Sequence, residues 1–405
     1  MTVSPTLPSF NPFSSDFKDH AYTLYEKLRE HDPLHRITLP NGRTAWIVTR
    51  YKDAVAALKA DYLRKNLFQF VTPEEMGLPP FQMDLLVRHM LNSDPPDHTR
   101  LRGLVQKAFT PRMIERLKES IQDIANSLLD QVENQRAMEL IQDYAYPLPI
   151  IVISEMLGLP NEDRDKFREW SHALVSAINV PEKYKQIESD IDAFTDYITN
   201  LIERRRQDPK EDLLSLLVQA ETEGDSLSEK ELISTIILLI IAGHETTVNL
   251  IGNGIFTLLT HPDELEILRN TPSLMDSTVE ELLRFMGPVE FATNRWIGED
   301  YEWNGKLISK GDMVLVALAS ANRDPDYFND PDRLVLSRER NHHIAFGMGI
   351  HHCLGAPLAR LEGRIAIDTL LRRRSRMKLA VSPEQLEWQP TYLMRGFVSL
   401  PLQFR

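Results

Sequence analysis

Phe346-Gly347-Met348-Gly349-Ile350-His351-His352-Cys353-Leu354-Gly355 contains the only cysteine among 405 residues. Three glycines crowd it, as a backbone needs when it passes close to something flat or bulky. Ala356-Pro357-Leu358-Ala359-Arg360-Leu361-Glu362 then opens a helical pattern. The sulfur is thus expected just before a helix N-terminus, where amide N–H groups and the helix dipole favour a thiolate over a thiol. A lone cysteine is more often a small, buried, inert residue, and the residue taken by itself favours that reading. A second stretch, Ala242-Gly243-His244-Glu245-Thr246-Thr247, places an acid and two hydroxyls after an apolar run. His244-Glu245 begins the zinc pattern H-E-x-x-H, but Val248 stands in the fifth place, which excludes a zinc protease on this motif. Two readings remain: a core helix whose threonines bond back to the carbonyl four residues earlier, or an acid–alcohol pair that moves protons.

Two further pairs have helical spacing. Glu281 and Arg284 lie three apart, the spacing of an ordinary ion pair. His98 and Arg102 lie four apart and share a face, either as a solvated basic stripe or as paired donors for an anion.

The elements that must position these groups follow from periodicity. Asp19 to Glu30 reads as a helix, His35 to Thr49 as a hairpin turning at Asn41-Gly42, and Tyr51 to Ala60 as helix again. Leu63 to about Leu91, with Pro73, Gly77, Pro79 and Pro80, reads as a long irregular connection. Asp94-Pro95-Pro96-Asp97 starts the helix carrying His98 and Arg102. Pro111 to Glu223 is almost entirely helical in period, with breaks near Asn134, Gly158-Leu159-Pro160, Asn179-Val180-Pro181 and Asp208-Pro209. Ser228 and Glu231 form a capping box, with Leu227 and Leu232 as its hydrophobic staple, opening a helix that runs to His261. Val289 to Ile297 reads as a strand and Leu358 to Leu371 as a helix ending in a basic cluster from Arg372 to Lys378.

Composition narrows the function classes. Charged residues at 26% and hydrophobic ones at 42% are ordinary for a globular protein. A formal net charge of −13 argues against nucleic acid or an anionic membrane as a partner. One cysteine rules out an internal disulfide and fits a reducing cytoplasm. Met1 to His20 shows no signal h-region, and the longest mostly apolar run, Leu232 to Ala242, falls short of a bilayer span.

The spacing F-x-x-G-x-H-x-C-x-G from Phe346 to Gly355 resembles the haem-binding loop of the cytochromes P-450, the haem-thiolate monooxygenases. Ala242 to Thr247 is similar to that family's A-G-x-[DE]-T-T, Glu281-x-x-Arg284 to its E-x-x-R, and the run from Asp94 to Arg102 to its D-P-P-x-H-x-x-x-R. These occur in the family's order along nearly the whole chain. The resemblance implies a mainly α fold with a smaller β-rich part: a triangular single domain over 1–405, haem lying between the long central helix and the cysteine-loop helix. It implies haem b with Cys353 as axial iron ligand, and Phe346, Gly347, Gly355 and Ala359 around it. Ala242 and Gly243 would leave room for dioxygen, Thr246 would hydrogen-bond to it, and Glu245 would deliver protons. His98, Arg102, Arg295 and His351 would hold the propionates. Glu281 and Arg284 would be joined by Arg333 of Pro331-Asp332-Arg333-Leu334, although Leu334 and Val335 stand where relatives often have Phe and Asp. Val289, Phe291, Ala292, Leu393 and Met394 would line the substrate pocket. The 63–91 connection would be a lid, and Ile178 to Pro181 a hinge over the channel.

The activity implied is hydroxylation of a small hydrophobic molecule by O2 in a soluble, cytoplasmic, bacterial monomer, with no membrane anchor and no nucleic acid. The implied subgroup tailors macrolides and other polyketides, alongside steroid and fatty-acyl hydroxylases. With no reductase appended, electrons would come from NAD(P)H through a reductase and a ferredoxin or flavodoxin, docked on the basic residues beyond Leu371 and at Lys107 and Arg112. Two rivals keep the haem: a peroxide-driven peroxygenase, and a protein that binds a ligand or senses a gas. A zinc site built from His342, His343, His351, His352 and Cys353 is the third.

Overall fold

The computed structural model describes residues 11–14, 16–72, 85–177, 186–222 and 224–404. Residues 73–84 of the expected lid and the Ile178 to Pro181 hinge lie outside the described residues. The principal helices are α1 (Phe17–His31), α2 (Tyr51–Lys59), α3 (Asp97–Ala108), α4 (Pro111–Gln131), α5 (Pro147–Met156), α6 (Arg164–Ala177), α7 (Glu188–Gln207), α8 (Glu229–Thr260), α9 (Met275–Met286) and α10 (Ala356–Arg373). The strands are β1 (Leu34–Thr38), β2 (Thr44–Val48), β3 (Leu63–Arg64), β4 (Ala137–Glu139), β5 (Glu221–Thr222), β6 (Asp225–Ser226), β7 (Arg295–Ile297), β8 (Tyr301–Trp303), β9 (Lys306–Ile308), β10 (Met313–Val316), β11 (Lys378–Leu379) and β12 (Pro401–Gln403). The chain divides into two compact units, each drawn from separated stretches. The first comprises Met1–Lys65, Asn249–Cys353 and Val381–Leu400; the second comprises Asn66–Val248, Leu354–Ala380 and Pro401–Arg405.

The first unit is built on a five-stranded sheet of order β1-β2-β10-β7-β3. The β1–β2 hairpin pairs Leu34 with Val48 and turns at Gly42, whose φ of +82° is the left-handed conformation expected of Asn-Gly. β2 carries few polar residues because both of its faces are covered. Its two-residue period sends Trp46 and Val48 into one core with Val314, Val316, Tyr51 and Leu58. Ala45 and Ile47 go into a second core with Leu315, Ala317 and the apolar stripe of α1, namely Phe17, Ala21, Tyr25 and Leu28. The predicted strand from Val289 to Ile297 is shorter than its pattern. Only Arg295–Ile297 is strand, while Val289 and Phe291 make isolated bridges with Met394 and Ala317.

The second unit is mostly helical. Thr110 caps α4, its side chain accepting from the Met113 amide, and Pro111 occupies the first turn. The near-continuous helical reading of 111–223 fails at β4, which pairs antiparallel with β12 near the C-terminus. A partner more than 260 residues away in sequence leaves no trace in the local period. Arg373 and Arg374, from the basic cluster, donate to the carbonyls of Asn126 and Val132, and Arg373 also pairs with Asp130 at 2.7 Å. These cations tie α10 to the end of α4.

α8 runs for 32 residues, roughly 48 Å at the standard rise. Its capping box is present in both directions: Ser228 N–H donates to Glu231 Oε2 at 2.8 Å, and Glu231 N–H to Ser228 Oγ at 3.3 Å. The helix is long and apolar enough to cross a membrane, yet 67% of its most apolar window is buried inside the protein, as in a core helix. Residues up to Val248 belong to the second unit and those from Asn249 to the first.

Candidate active site

The cysteine loop is folded by its own backbone. Gly347 and Gly349 adopt φ of +69° and +73°, values that residues with a Cβ rarely take. A Cβ on Gly349 would also come within 2.7 Å of the Leu58 carbonyl oxygen. The loop closes where Cys353 N–H donates to Phe346 O at 2.9 Å, bringing the first and eighth residues of the motif together. Cys353 is exposed, so the inert buried cysteine is not what the chain folds into. Gly355 is the N-cap of α10 and Pro357 lies in its first turn, with Ala359 N–H donating to Gly355 O at 2.9 Å. His343 is tied to Glu280 at 3.1 Å, and among the described residues no three side chains gather as metal ligands. The zinc reading has no geometric support.

Glu281 and Arg284 of α9 pair through two bonds of 2.8 Å with no side-chain exposure on either. The expected third member is corrected. Arg333 points outward and contributes only its backbone carbonyl, at 3.2 Å from Arg284. The second cation on Glu281 is Arg338, whose Nε donates to Oε1 and Oε2 at 3.2 and 3.1 Å. The chain turns back between Asp332 and Arg338, leaving Val335 N–H on Glu281 at 2.9 Å, and Asn341 Nδ2 also donates to it at 3.0 Å. Five donors on one buried carboxylate satisfy it fully, which a buried charge requires.

Arg295, in β7, is buried, and its guanidinium donates to Thr293 O at 3.0 Å. The exposed-strand reading of this residue fails. His351 is half-buried at the end of the single 3-10 turn Gly349–His351. Among the expected pocket residues, Phe291 is also corrected. It is wholly buried in an aromatic group, with ring centroids 6.3 Å from each of Phe17, Tyr25 and Tyr392. Leu393 packs on the same core, whereas Ala292 and Val289 pack on the opposite one and Met394 pairs with Val289. A residue alternation that suits a pocket also suits a two-layer core, and only the location of α1 separates the two.

In the second unit, His98 is buried and Arg102 half-buried on one face of α3, while Arg100 turns to Asp225 and Glu231. On α8, Thr246 Oγ1 donates to Ala242 O at 2.7 Å, the back-bond foreseen for a helical threonine. A Cβ on Gly243 would touch Ile153 Cδ1 of α5 at 3.3 Å, so the glycine lets α8 approach closely. His244 is buried, donates through Nε2–H to Tyr146 O at 3.0 Å, and is held neutral by burial, with its pKa pushed down to about 4. The negative charge of Glu245 is close enough to raise the pKa of the Tyr146 phenol, after burial the second cause of that shift.

Two groups here escaped the sequence reading. Glu362 of α10 is fully buried, and burial pushes its pKa up to about 8 against the lowering effect of a hydrogen bond with Thr247. Its position was detectable: it lies four residues after Leu358 and three before Ile365, on the apolar face of α10. The second is the meeting of Gly396 with Asn249, where a Cβ would lie 1.9 Å from the amide oxygen. Nothing in either local pattern announces that approach.

The Cytochrome P450 family model matches residues 11–404. A cytochrome P450 of Bacillus subtilis (strain 168) is 48% identical over 96% of both chains. The polyketide biosynthesis cytochrome P450 PksS of the same organism is 44% identical over 97% of this chain and 98% of its own. The vitamin D(3) 25-hydroxylase of Pseudonocardia autotrophica is 42% identical over 96% and 95%. The solved structure of PksS, from the bacillaene polyketide synthase of B. subtilis 168, superposes with a TM-score of 0.91 at 43% identity, covering 98% of this chain and all of that one. The haem iron that this family implies suits the donors of the first unit: an exposed sulfur on a glycine-turned loop and the buried basic side chain of Arg295. The chain belongs to the cytochrome P450 family and is a P450 monooxygenase.

Proposed function

We propose that this enzyme hydroxylates a C–H bond of a hydrophobic small molecule of the polyketide class, as a cytoplasmic monomer whose residues 1–405 act as one domain. Electrons would come from NAD(P)H through a reductase and a ferredoxin or flavodoxin. The similarity to PksS over nearly the full length of both chains supports the substrate class. The site reading rests on the exposed thiol of Cys353 in its glycine-turned loop. Haem b, when bound through that sulfur, supplies the activation of dioxygen and the oxidation of the C–H bond.

The remaining roles belong to the protein. His98, Arg102, Arg295 and His351 would hold the two propionates through their N–H groups. Thr246 spends its one proton on Ala242 O and so presents acceptor lone pairs to a protonated oxygen or a water beside α8. Glu245, half-buried one residue earlier, is placed to exchange a proton with that water. Dioxygen reduction to water and product consumes two protons and two electrons, and a carboxyl that reprotonates through water delivers the protons in turn, with the Thr246 hydroxyl holding that water as an acceptor. Arg376 and Lys378 remain exposed as contacts for an acidic redox protein. The difference spectrum of the reduced protein with carbon monoxide minus the reduced protein without it tests the ligand: a strongly red-shifted Soret band assigns Cys353, whereas a histidine-type band overturns it. A high-spin shift with a polyketide panel, absent with steroids and fatty acids, tests the substrate class.

A further inference from the structure

Two short stretches, 288–292 and 392–396, form the proposed pocket wall in the first unit and meet through very little backbone. Arg395 N–H donates to Pro288 O and Glu290 N–H to Leu393 O, both at 2.9 Å, and Val289 and Met394 make an isolated antiparallel bridge. So short a ladder does not hold its register unaided. The two-residue side-chain period puts Val289 and Met394 on one face, and Glu290 and Arg395 on the reverse.

That reverse face holds a buried ionic cluster. Arg395 Nε donates to Glu290 Oε2 at 2.5 Å, and the Tyr25 hydroxyl to Glu290 Oε1 at 2.7 Å. Exposure is 1% for the Arg395 side chain and 0% for that of Glu290. The guanidinium lies 4.7 Å from the ring of Tyr22 and 4.9 Å from that of Trp388, and its NH2 donates to Lys18 O at 3.4 Å. Asn253, seven residues beyond Thr246 on α8, donates to Arg395 O at 2.9 Å. Every side-chain polar atom of Glu290 and Arg395 is met, yet desolvation makes such a pair no more stabilising than well-packed apolar residues of the same volume. Its distinctive property is direction: charge-assisted bonds from α1 and the wall itself, with a neutral amide bond from α8, are all satisfied in one register only.

We propose that Glu290 and Arg395 are positioning residues that fix the Val289–Met394 wall and so determine which ligand shapes the pocket accepts. This rests on the reading that Val289 and Met394 face the substrate, and the experiment separates the two. Imidazole and 4-phenylimidazole are titrated into the haem-loaded full chain by Soret shift, and amide hydrogen exchange is followed over 288–292 and 392–396. The variants are the apolar double substitution Glu290→Leu/Arg395→Met, the isosteric Glu290→Gln, and the wall substitutions Val289→Ala and Met394→Ala.

The double variant is expected to keep its haem content and melting temperature. Its ratio of 4-phenylimidazole to imidazole affinity should change about tenfold, the size of effect a small misfit in an apolar pocket produces. The amides of Glu290 and Arg395 should exchange faster. A stability loss with an unchanged affinity ratio, while the wall variants do change it, overturns the positioning role and leaves the wall reading intact. An unchanged ratio in the wall variants as well overturns both. Should the double variant fail to fold, Glu290→Gln is judged by the same ratio and the same amides.

Discussion

Substituting Arg338 by methionine removes one of the two cations from a carboxylate that has no exposure. Glu281 would keep both bonds from Arg284, the Val335 amide and Asn341, so its charge would not be stranded outright. What disappears is a bifurcated charge-assisted contact at 3.1 and 3.2 Å, together with the bonds from Arg338 to the carbonyls of Asn329, Asp330 and Arg333. Those three bonds lie at the surface, where water replaces them. A bond to a charged group contributes about 1.5–3 kcal/mol, and complete rupture of a buried pair about 3–5 kcal/mol. Arg338→Met should therefore cost about 2–3 kcal/mol. Arg333→Met, whose side chain is exposed and whose carbonyl survives the change, should stay within about 0.5 kcal/mol. The assay is urea unfolding of haem-loaded protein, followed by far-ultraviolet dichroism and Soret absorbance together. Equal losses in the two variants, or a larger loss for Arg333→Met, would refute the assignment of Arg338 to this network.

Thr246→Ala removes the hydroxyl on Ala242 O and should divert electrons into peroxide; NAD(P)H consumed, peroxide released and product formed are measured together, and unchanged coupling counts against the relay. Glu362 has a folded pKa raised to about 8 by burial, so its contribution to stability is fully present below the unfolded carboxyl value and is lost as pH rises through about 8. Glu362→Gln should flatten the fall in melting temperature across that window, and an unchanged slope would mean that the acid is ionised in the folded protein. Gly396→Ala should destabilise, because its Cβ would sit 1.9 Å from Asn249 Oδ1. Asn249→Ala in the same chain should recover much of the loss, and simple additivity in that double-mutant cycle would show that the clash is not the cause. Gly349→Ala combines a left-handed φ with a contact at 2.7 Å and should cost about 1–3 kcal/mol, read as lost haem retention and early unfolding.

Features written in neighbouring residues are legible in the amino-acid order itself. The Asn41-Gly42 hairpin, the Ser228–Glu231 capping box, the 32-residue helix and the glycine-turned cysteine loop each depend on spacings within a turn or two of backbone. The backbone's own periods decide such features, so the residue types and their order suffice. The back-bond of Thr246 is of the same kind.

The tertiary structure decided what depends on the path between distant segments. Arg333 and Arg338 are five residues apart and chemically identical, and only the turn between them determines which reaches Glu281. Phe291 has the same alternation whether it faces a pocket or a core, and the packing of Phe17 and Tyr25 against it makes it core. β4 exists because Pro401–Gln403 returns to pair with it. Glu290 and Arg395, 105 residues apart, became a pair only when two short wall segments and α1 met around them. A side chain's partners are set by chain path and packing, which local periodicity does not encode.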